Sequence, residues 1–421
     1  MRRAIVFAAL LAVAGAGLGA HVTQRFPDWP QWGGPSRDFV VPAARPVSPW
    51  GSGGPPRRWS RPIGDGFAAI VTSGDRGFTT YRDGVADVAM AFHLATGDST
   101  WETRIVAPFN ETCSHRLGPV PRATPLITDR WLITASAGGL VTALDTASGR
   151  IAWQRELFAD SPASLRVCGY SSSPVAHGDN VIVLTGVPGR AVMALRRHDG
   201  SVAWQGHDFA NGYSSPTIAR VGGALELIAM MAQVVVGIDP VTGELRWQHP
   251  HPTADHVNVA MPVVGADGLV LLSSGYDGGA RVLELTREGD VTRVRQLWEH
   301  KRFRVHFGTM VRLNDVVIGS NGDFGPAPLT AVDIKTGKIL WRDRVAARAS
   351  VVLVGDRVMV LDEDGVLVLG AVTPTGLVVE AKTTVLDSQS WTPPTIAGDL
   401  LLVRNRTTLA AFSLSLVEPG L

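Results

Sequence analysis

Charge is sparse in this chain of 421 residues: Lys, Arg, Asp and Glu make up 18% of it, and the formal net charge is only +1. Such a balance leaves no electrostatic footprint for nucleic acid, so DNA and RNA are not expected as partners. Cysteine is scarcer. Only Cys113 and Cys168 occur, they are not adjacent, and no C-x-x-C-H haem-attachment pattern is present. No G-x-S-x-G stretch appears, and the Ser, His and Asp residues show no hydrolase spacing, so no catalytic residue is assigned. The glycines of "GVPG" and "AGG" lead into strand-like runs rather than helices, which argues against a phosphate cradle. Long stretches of 3.6-residue periodicity are also missing, and that absence removes a helical solenoid.

Apolar and turn-forming residues are plentiful. Hydrophobic residues reach 45%, enough for a large core, and 46 glycines with 27 prolines suit many short strands joined by turns. Residues 1–20 read as an export signal, with "MRR" as the positive start and "AIVFAALLAVAGAGLGA" as an apolar run ending in small residues. An uncleaved anchor is the alternative, since about 17 apolar residues fall just short of a membrane span. Either way the rest of the chain is expected in the periplasm or secreted. No cysteine lies near the signal, so no lipid attachment is expected there. In an exported chain Cys113 and Cys168 are expected to form a disulfide, two buried thiols being the alternative.

One phrase recurs. "ALDTASGRIAWQRE" from Ala143, "GIDPVTGELRWQHP" from Gly237 and "AVDIKTGKILWRDR" from Ala331 share an Asp, then Gly, then Trp at intervals of four. "HLATGDSTWETR" and "RRHDGSVAWQGH" keep the Gly–Trp spacing, and "TREGDVTRVRQLWEH" has five extra residues between Gly289 and Trp298. The Asp is suited to accept hydrogen bonds from turn amides, the Gly to supply a positive φ, and the Trp to cover apolar area between neighbouring sheets. Trp59, Trp101, Trp153, Trp204, Trp247, Trp298 and Trp341 are separated by 42, 52, 51, 43, 51 and 43 residues. That period fits a four-stranded blade repeated radially.

The fold class that follows is all-β, an eight-bladed β-propeller of four-stranded antiparallel blades. An eighth outer strand, "TGLVVEAKTTV", carries Glu380 where the others carry Trp. The Trp59 strand lacks three partners and the C-terminal run lacks a fourth, so the two ends are expected to close one blade together. The organisation expected is a signal at 1–20, a leader at 21–55, the propeller at 56–415 and a tail at 416–421.

The repeated phrases are similar to those of the pyrroloquinoline-quinone (PQQ) propeller superfamily, whose consensus runs A-x-D-x-x-T-G-x-x-x-W. "WPQWGGPSRD", Trp29 to Asp38, resembles the leader that precedes the first blade in secreted members. The superfamily includes quinoprotein dehydrogenases and also cofactor-free BamB-like propellers of the outer-membrane barrel-assembly machinery. The resemblance therefore implies a monomeric, non-catalytic scaffold for a protein partner in the cell envelope, without cofactor. Its alternative is a PQQ-dependent oxidoreductase using PQQ with Ca²⁺, or an axial binder of a small anion.

Residues just before each innermost strand are expected to ring one mouth of the central channel: Arg122, Tyr170, Tyr213, Asn258, His306, Arg348, Gln389 and Trp391. Such a ring suits either a small-ligand pocket or a merely solvated funnel. Arg122 and Arg348 beside His306, with no acid at the equivalent positions, would favour an anion held without metal. His249, His251 and His256 of "HPHPTADHVN" read as a solvated loop rather than a metal site. Asp277 and Asp323 read as hairpin turns rather than Ca²⁺ loops.

Overall fold

In the computed structural model, which describes residues 28–41, 47–110, 113, 117–323 and 325–415, eight sheets repeat around one axis. The expected signal and tail lie outside the described residues. Blade 1 runs from Val71–Ser73 to Ser99–Val106, and each later blade likewise places its strands in chain order from the axis outward. Blade 8 is composite: Thr395–Ala397, Leu400–Arg404 and Thr408–Ser413 are completed by Arg57–Pro62 from the other end of the chain. Trp59 pairs with Ala411 in that junction. The expected closure is the one observed.

The recurring phrase does what its residue types suit. Asp145 Oδ1 accepts from the amides of Ala147 and Ser148 and from the Ser148 hydroxyl. Gly149 closes the turn by donating to Asp145 O at 2.8 Å, at a φ of +70°. A Cβ there would lie 2.6 Å from the Trp101 ring of the preceding blade. Thus glycine serves two ends: it takes the left-handed backbone and leaves a flat seat for the neighbour's indole. Each ring also fixes its neighbour by a hydrogen bond. Trp59 Nε1 donates to Leu94 O, Trp101 to Thr146 O, Trp153 to Arg197 O, Trp204 to Pro240 O, Trp298 to Ile334 O and Trp341 to Thr373 O.

Two blades depart from this pattern. In blade 7 a two-residue hairpin joins Val366–Thr373 to Gly376–Thr384, with Thr373 opposite Gly376. Counting four residues from that glycine selects Glu380, but the register places Ala381 opposite Leu369 and leaves Glu380 in the bulge. Ala381, not Glu380, therefore occupies the tryptophan position. Blade 8 offers no turn for an indole to reach, because its outer junction is made of the two chain ends. Glu380 instead accepts from Arg357 Nε at 2.6 Å within its own blade. Blade 5 departs differently: its five extra residues lengthen the outer hairpin, Gly279–Glu288 with Val291–His300, and carry the turn away from Trp247.

The leader enters the propeller rather than preceding it. Trp29 exchanges backbone hydrogen bonds with Thr72 of blade 1, and Ile127 of blade 2 donates to Pro30 O. Arg37, 4% exposed, donates to Pro174 O and Ser173 O at the entry to blade 3. Val40–Val41 then adds to blade 7 as a parallel inner strand beside Leu353 and Val354. Blades 3 and 7 stand opposite one another in a ring of eight, so the segment crosses the axis.

Candidate functional site

Crossing the axis divides the channel. A cavity of about 560 Å³ lies on the side of Arg312 and Asn314, and one of about 510 Å³ lies at the expected mouth. Trp32 of the leader lines both. The mouth cavity has the volume of a small-ligand pocket.

Five of the eight residues expected at the mouth line it: Arg122, Tyr213, His306, Arg348 and Trp391. The other three do not. Tyr170 is 2% exposed and packs on Phe158 between blades 2 and 3. Asn258 is fully buried, donating to the carbonyls of Met231, Ala232 and His251 and accepting from Ser274 Oγ. Gln389 is half-buried and outside the cavity lining. Neighbouring residues in an extended segment face opposite ways, so an offset of one along a connecting loop turns a side chain from the axis into the blade seam.

Several lining residues were not visible from repeat position. Phe307 reaches the cavity because the first strand of blade 6, Val305–Leu313, is paired at Val305 and again only at Met310, and the irregular stretch between holds His306 and Phe307 at the mouth. A Cβ on Gly308 would meet Ala349 O at 2.6 Å, which is how closely this bulge approaches blade 7. Phe67, just before blade 1, lies at the repeat position used for the other blades and is thus a signal that the sequence did carry. Arg166, Asp255, Tyr276 and Asp323 come from connecting loops of unequal length, and no period marks them.

Their arrival changes the electrostatics. Arg348 Nη1 lies 3.4 Å from Glu363 Oε2, which also accepts from Trp391 Nε1. Arg122 donates to Gly118 O, and Arg166 donates to the carbonyls of Asp255 and His256 while its guanidinium sits 5.5 Å over the Tyr213 ring. Asp323 accepts from the Tyr276 amide and lies 3.6 Å from Arg304. Acids absent from the repeat positions, Asp255 and Asp323 in the lining and Glu363 behind it, thus enter from other loops beside Arg122, Arg166 and Arg348.

Cys113 and Cys168 are bonded to each other, with Cα atoms 4.7 Å apart, and line the same cavity. The disulfide ties the loop leaving blade 1 to the loop entering blade 3. The histidine loop also needs correction. His251 is fully buried, not solvated, with Nε2 3.0 Å from Ser274 Oγ, and burial pushes its pKa down to about 3. Among the described residues no group of three or more His, Cys, Asp or Glu side chains gathers as metal ligands would.

The family model described as outer membrane protein assembly factor BamB matches residues 50–224 and 91–325. Relatives that carry that description are 24% identical in Yersinia pestis, over 63% of this chain and 68% of theirs, and 23% identical in Salmonella typhimurium, over 66% and 70%. The solved BamB of Moraxella catarrhalis superposes with a TM-score of 0.62 at 16% identity, covering 85% of this chain and 99% of that one. A quinohemoprotein alcohol dehydrogenase from Comamonas testosteroni gives 0.65 at 12% identity, covering 94% and 82%, so shape alone does not separate the two groups. The family match spans more than half of the sequence, and the chain belongs to the outer membrane protein assembly factor BamB family.

Proposed function

We propose that this protein is a non-catalytic, exported propeller of the cell envelope that serves outer-membrane protein assembly by binding protein partners. The family match over residues 50–325 carries the reading, since the dehydrogenase likeness is one of shape only. The mouth supports it. Its charged groups are held within the protein: Arg348 meets Glu363, Arg122 and Arg166 donate to backbone carbonyls, and Asp323 accepts from the Tyr276 amide beside Arg304.

The test is genetic and biochemical. Deleting the gene should lower the content of outer-membrane barrel proteins, and crosslinking in the envelope should join the propeller to assembly components. Unchanged barrel-protein content, together with substrate-dependent dye reduction on adding PQQ and Ca²⁺, would reverse the assignment in favour of an oxidoreductase.

A further inference from the structure

Ring faces dominate what the mouth cavity offers. Phe67 stacks on Trp391 at 5.6 Å, Phe307 tilts against Trp391 at 4.9 Å, His306 meets Phe307 at 5.1 Å and Tyr276 meets His306 at 4.8 Å. These five rings come from blades 1, 8, 6 and 5 and form one continuous arc. Facing them are Leu117, Val167, Val257, Val259 and the Cys113–Cys168 disulfide. Val167 is 61% exposed although apolar. Arg348 between these surfaces is paired with Glu363, Asp323 with Arg304, and Arg122 and Arg166 donate to backbone carbonyls, so an uncharged ring packed on the aromatic arc would gain most.

The lower part of the same channel shows what kind of occupant suits it. There a stretch of this chain, folded into successive turns over residues 31–37, carries Trp29, Trp32 and Phe39 across the axis, held by backbone hydrogen bonds to Thr72, Ile127 and Leu353. Trp32 meets Phe39 edge to face at 5.1 Å, and Trp32 also floors the mouth cavity. The channel is thus built to accept aromatic side chains presented from a turn of polypeptide, and its upper half is lined the same way.

We propose that the mouth cavity binds an uncharged aromatic side chain, Trp or Phe, presented by a turn or loop of a polypeptide partner. The proposal rests on the scaffold reading and names what its site would recognise. A cavity of about 510 Å³ is of ligand-pocket size and stands open to the mouth.

The full exported chain is titrated calorimetrically with flexible Gly/Ser-rich peptides carrying a single Trp, a single Phe or Ala at the same place, and with N-acetyltryptophan amide. The Trp and Phe peptides should bind at least tenfold more tightly than the Ala peptide. Trp391→Leu and, separately, Phe307→Leu should each weaken that binding at least tenfold with the melting temperature kept. Phe67→Leu stands in for either variant that fails to fold. Equal affinity for the Ala peptide overturns the proposal, as does full binding by the leucine variants. If the free amide binds as tightly as the peptides, the cavity is a small-molecule pocket and the polypeptide assignment fails. Envelope crosslinking is run on the same variants: partners retained without peptide binding reject this site alone, whereas no partner in the parent protein rejects the scaffold reading itself.

Discussion

The indole N–H of Trp247 donates to the Glu226 carboxylate across 2.6 Å, where the tryptophans of six other blades donate to a backbone carbonyl of the next blade. The lengthened hairpin of blade 5 removes the turn that Trp247 would otherwise reach. Its ring lies instead over Gly237 of its own blade, where a Cβ would sit 2.0 Å from Nε1. Glu226, fully buried, also accepts from Thr292 and lies 3.5 Å from Arg287, both of blade 5. A carboxylate thus joins blades 4 and 5 in place of the missing turn.

Glu226→Leu should destabilise the protein by about 3 to 5 kcal/mol, because Arg287 and the Trp247 N–H then lose their acceptor in a dry seam. Glu226→Gln keeps hydrogen-bonding capacity and should lose less than half as much. Urea unfolding of the two variants measures the ratio, and equal losses would contradict a role for the charge.

Closure of the ring depends on Arg404. Its guanidinium is fully buried and donates to the carbonyls of Gly66, Ala68 and Thr80 and to Thr79 Oγ1, all of blade 1 or the segment entering it. Burial lowers its pKa only to about 10, so it stays charged at neutral pH. Arg404→Met takes the guanidinium donor from Gly66 O and Thr80 O, while Ala68 O keeps the Thr79 hydroxyl; at about 1 to 3 kcal/mol for each carbonyl, a total loss of roughly 4 kcal/mol is expected. Calorimetric melting tests this, and a variant as stable as the parent would show that strand pairing with Arg57–Pro62 suffices.

The Cys113–Cys168 bond closes a loop with a sequence separation of 55 residues. The chain-entropy model assigns such a loop about 4 kcal/mol. Replacing both cysteines by serine should lower stability by up to that amount, read by denaturant unfolding under non-reducing conditions. Linked peptides in the unreduced protein would confirm the pairing directly.

Acid should weaken the fold through His251. Burial, with Arg281, His249 and Lys301 adding repulsion, holds its pKa near 3 in the folded state against 6.5 when unfolded. Below pH 6.5 the unfolded chain binds a proton that the folded one refuses, so stability falls from pH 6.5 down to about 3. The full effect is about 5 kcal/mol, at 1.36 kcal/mol per pH unit. The buried Asp87 carboxyl, pushed up to about 6, works in the opposite direction between pH 4 and 6. The comparison is therefore with His251→Asn, whose stability should depend less steeply on pH in that window. Parallel pH profiles of parent and variant would rule the histidine out.

Local rules made most of the architecture legible. The Asp–Gly–Trp interval sets turn, φ and outer-strand register within about ten residues, and each of these depends only on near neighbours in sequence. The orphan strand around Trp59 and the three C-terminal strands likewise announced a composite blade. Glu380 shows where counting fails: a turn two residues long shifted the register by one, and only strand pairing identified Ala381 as the structural counterpart of tryptophan.

The site divides along the same line. Tyr213, His306, Arg348 and Trp391 were found because they repeat with the blades. Asp255, Asp323 and Phe307 were not, since loops of unequal length and an irregular strand carry them to the axis with no period to follow. Tyr170 and Asn258 keep the period yet turn into blade seams, where packing against Phe158 and the carbonyls around Met231 gains more than solvent exposure would. The sequence alone determined how many blades form and how each one turns, because hydrogen bonding and φ preferences act over a few residues. Whether the leader crosses the channel, and which charges meet at its mouth, was decided by tertiary structure, because the leader's contacts join residues more than a hundred positions apart, as Arg37 joins Ser173, and the mouth's acids arrive on loops with no common period.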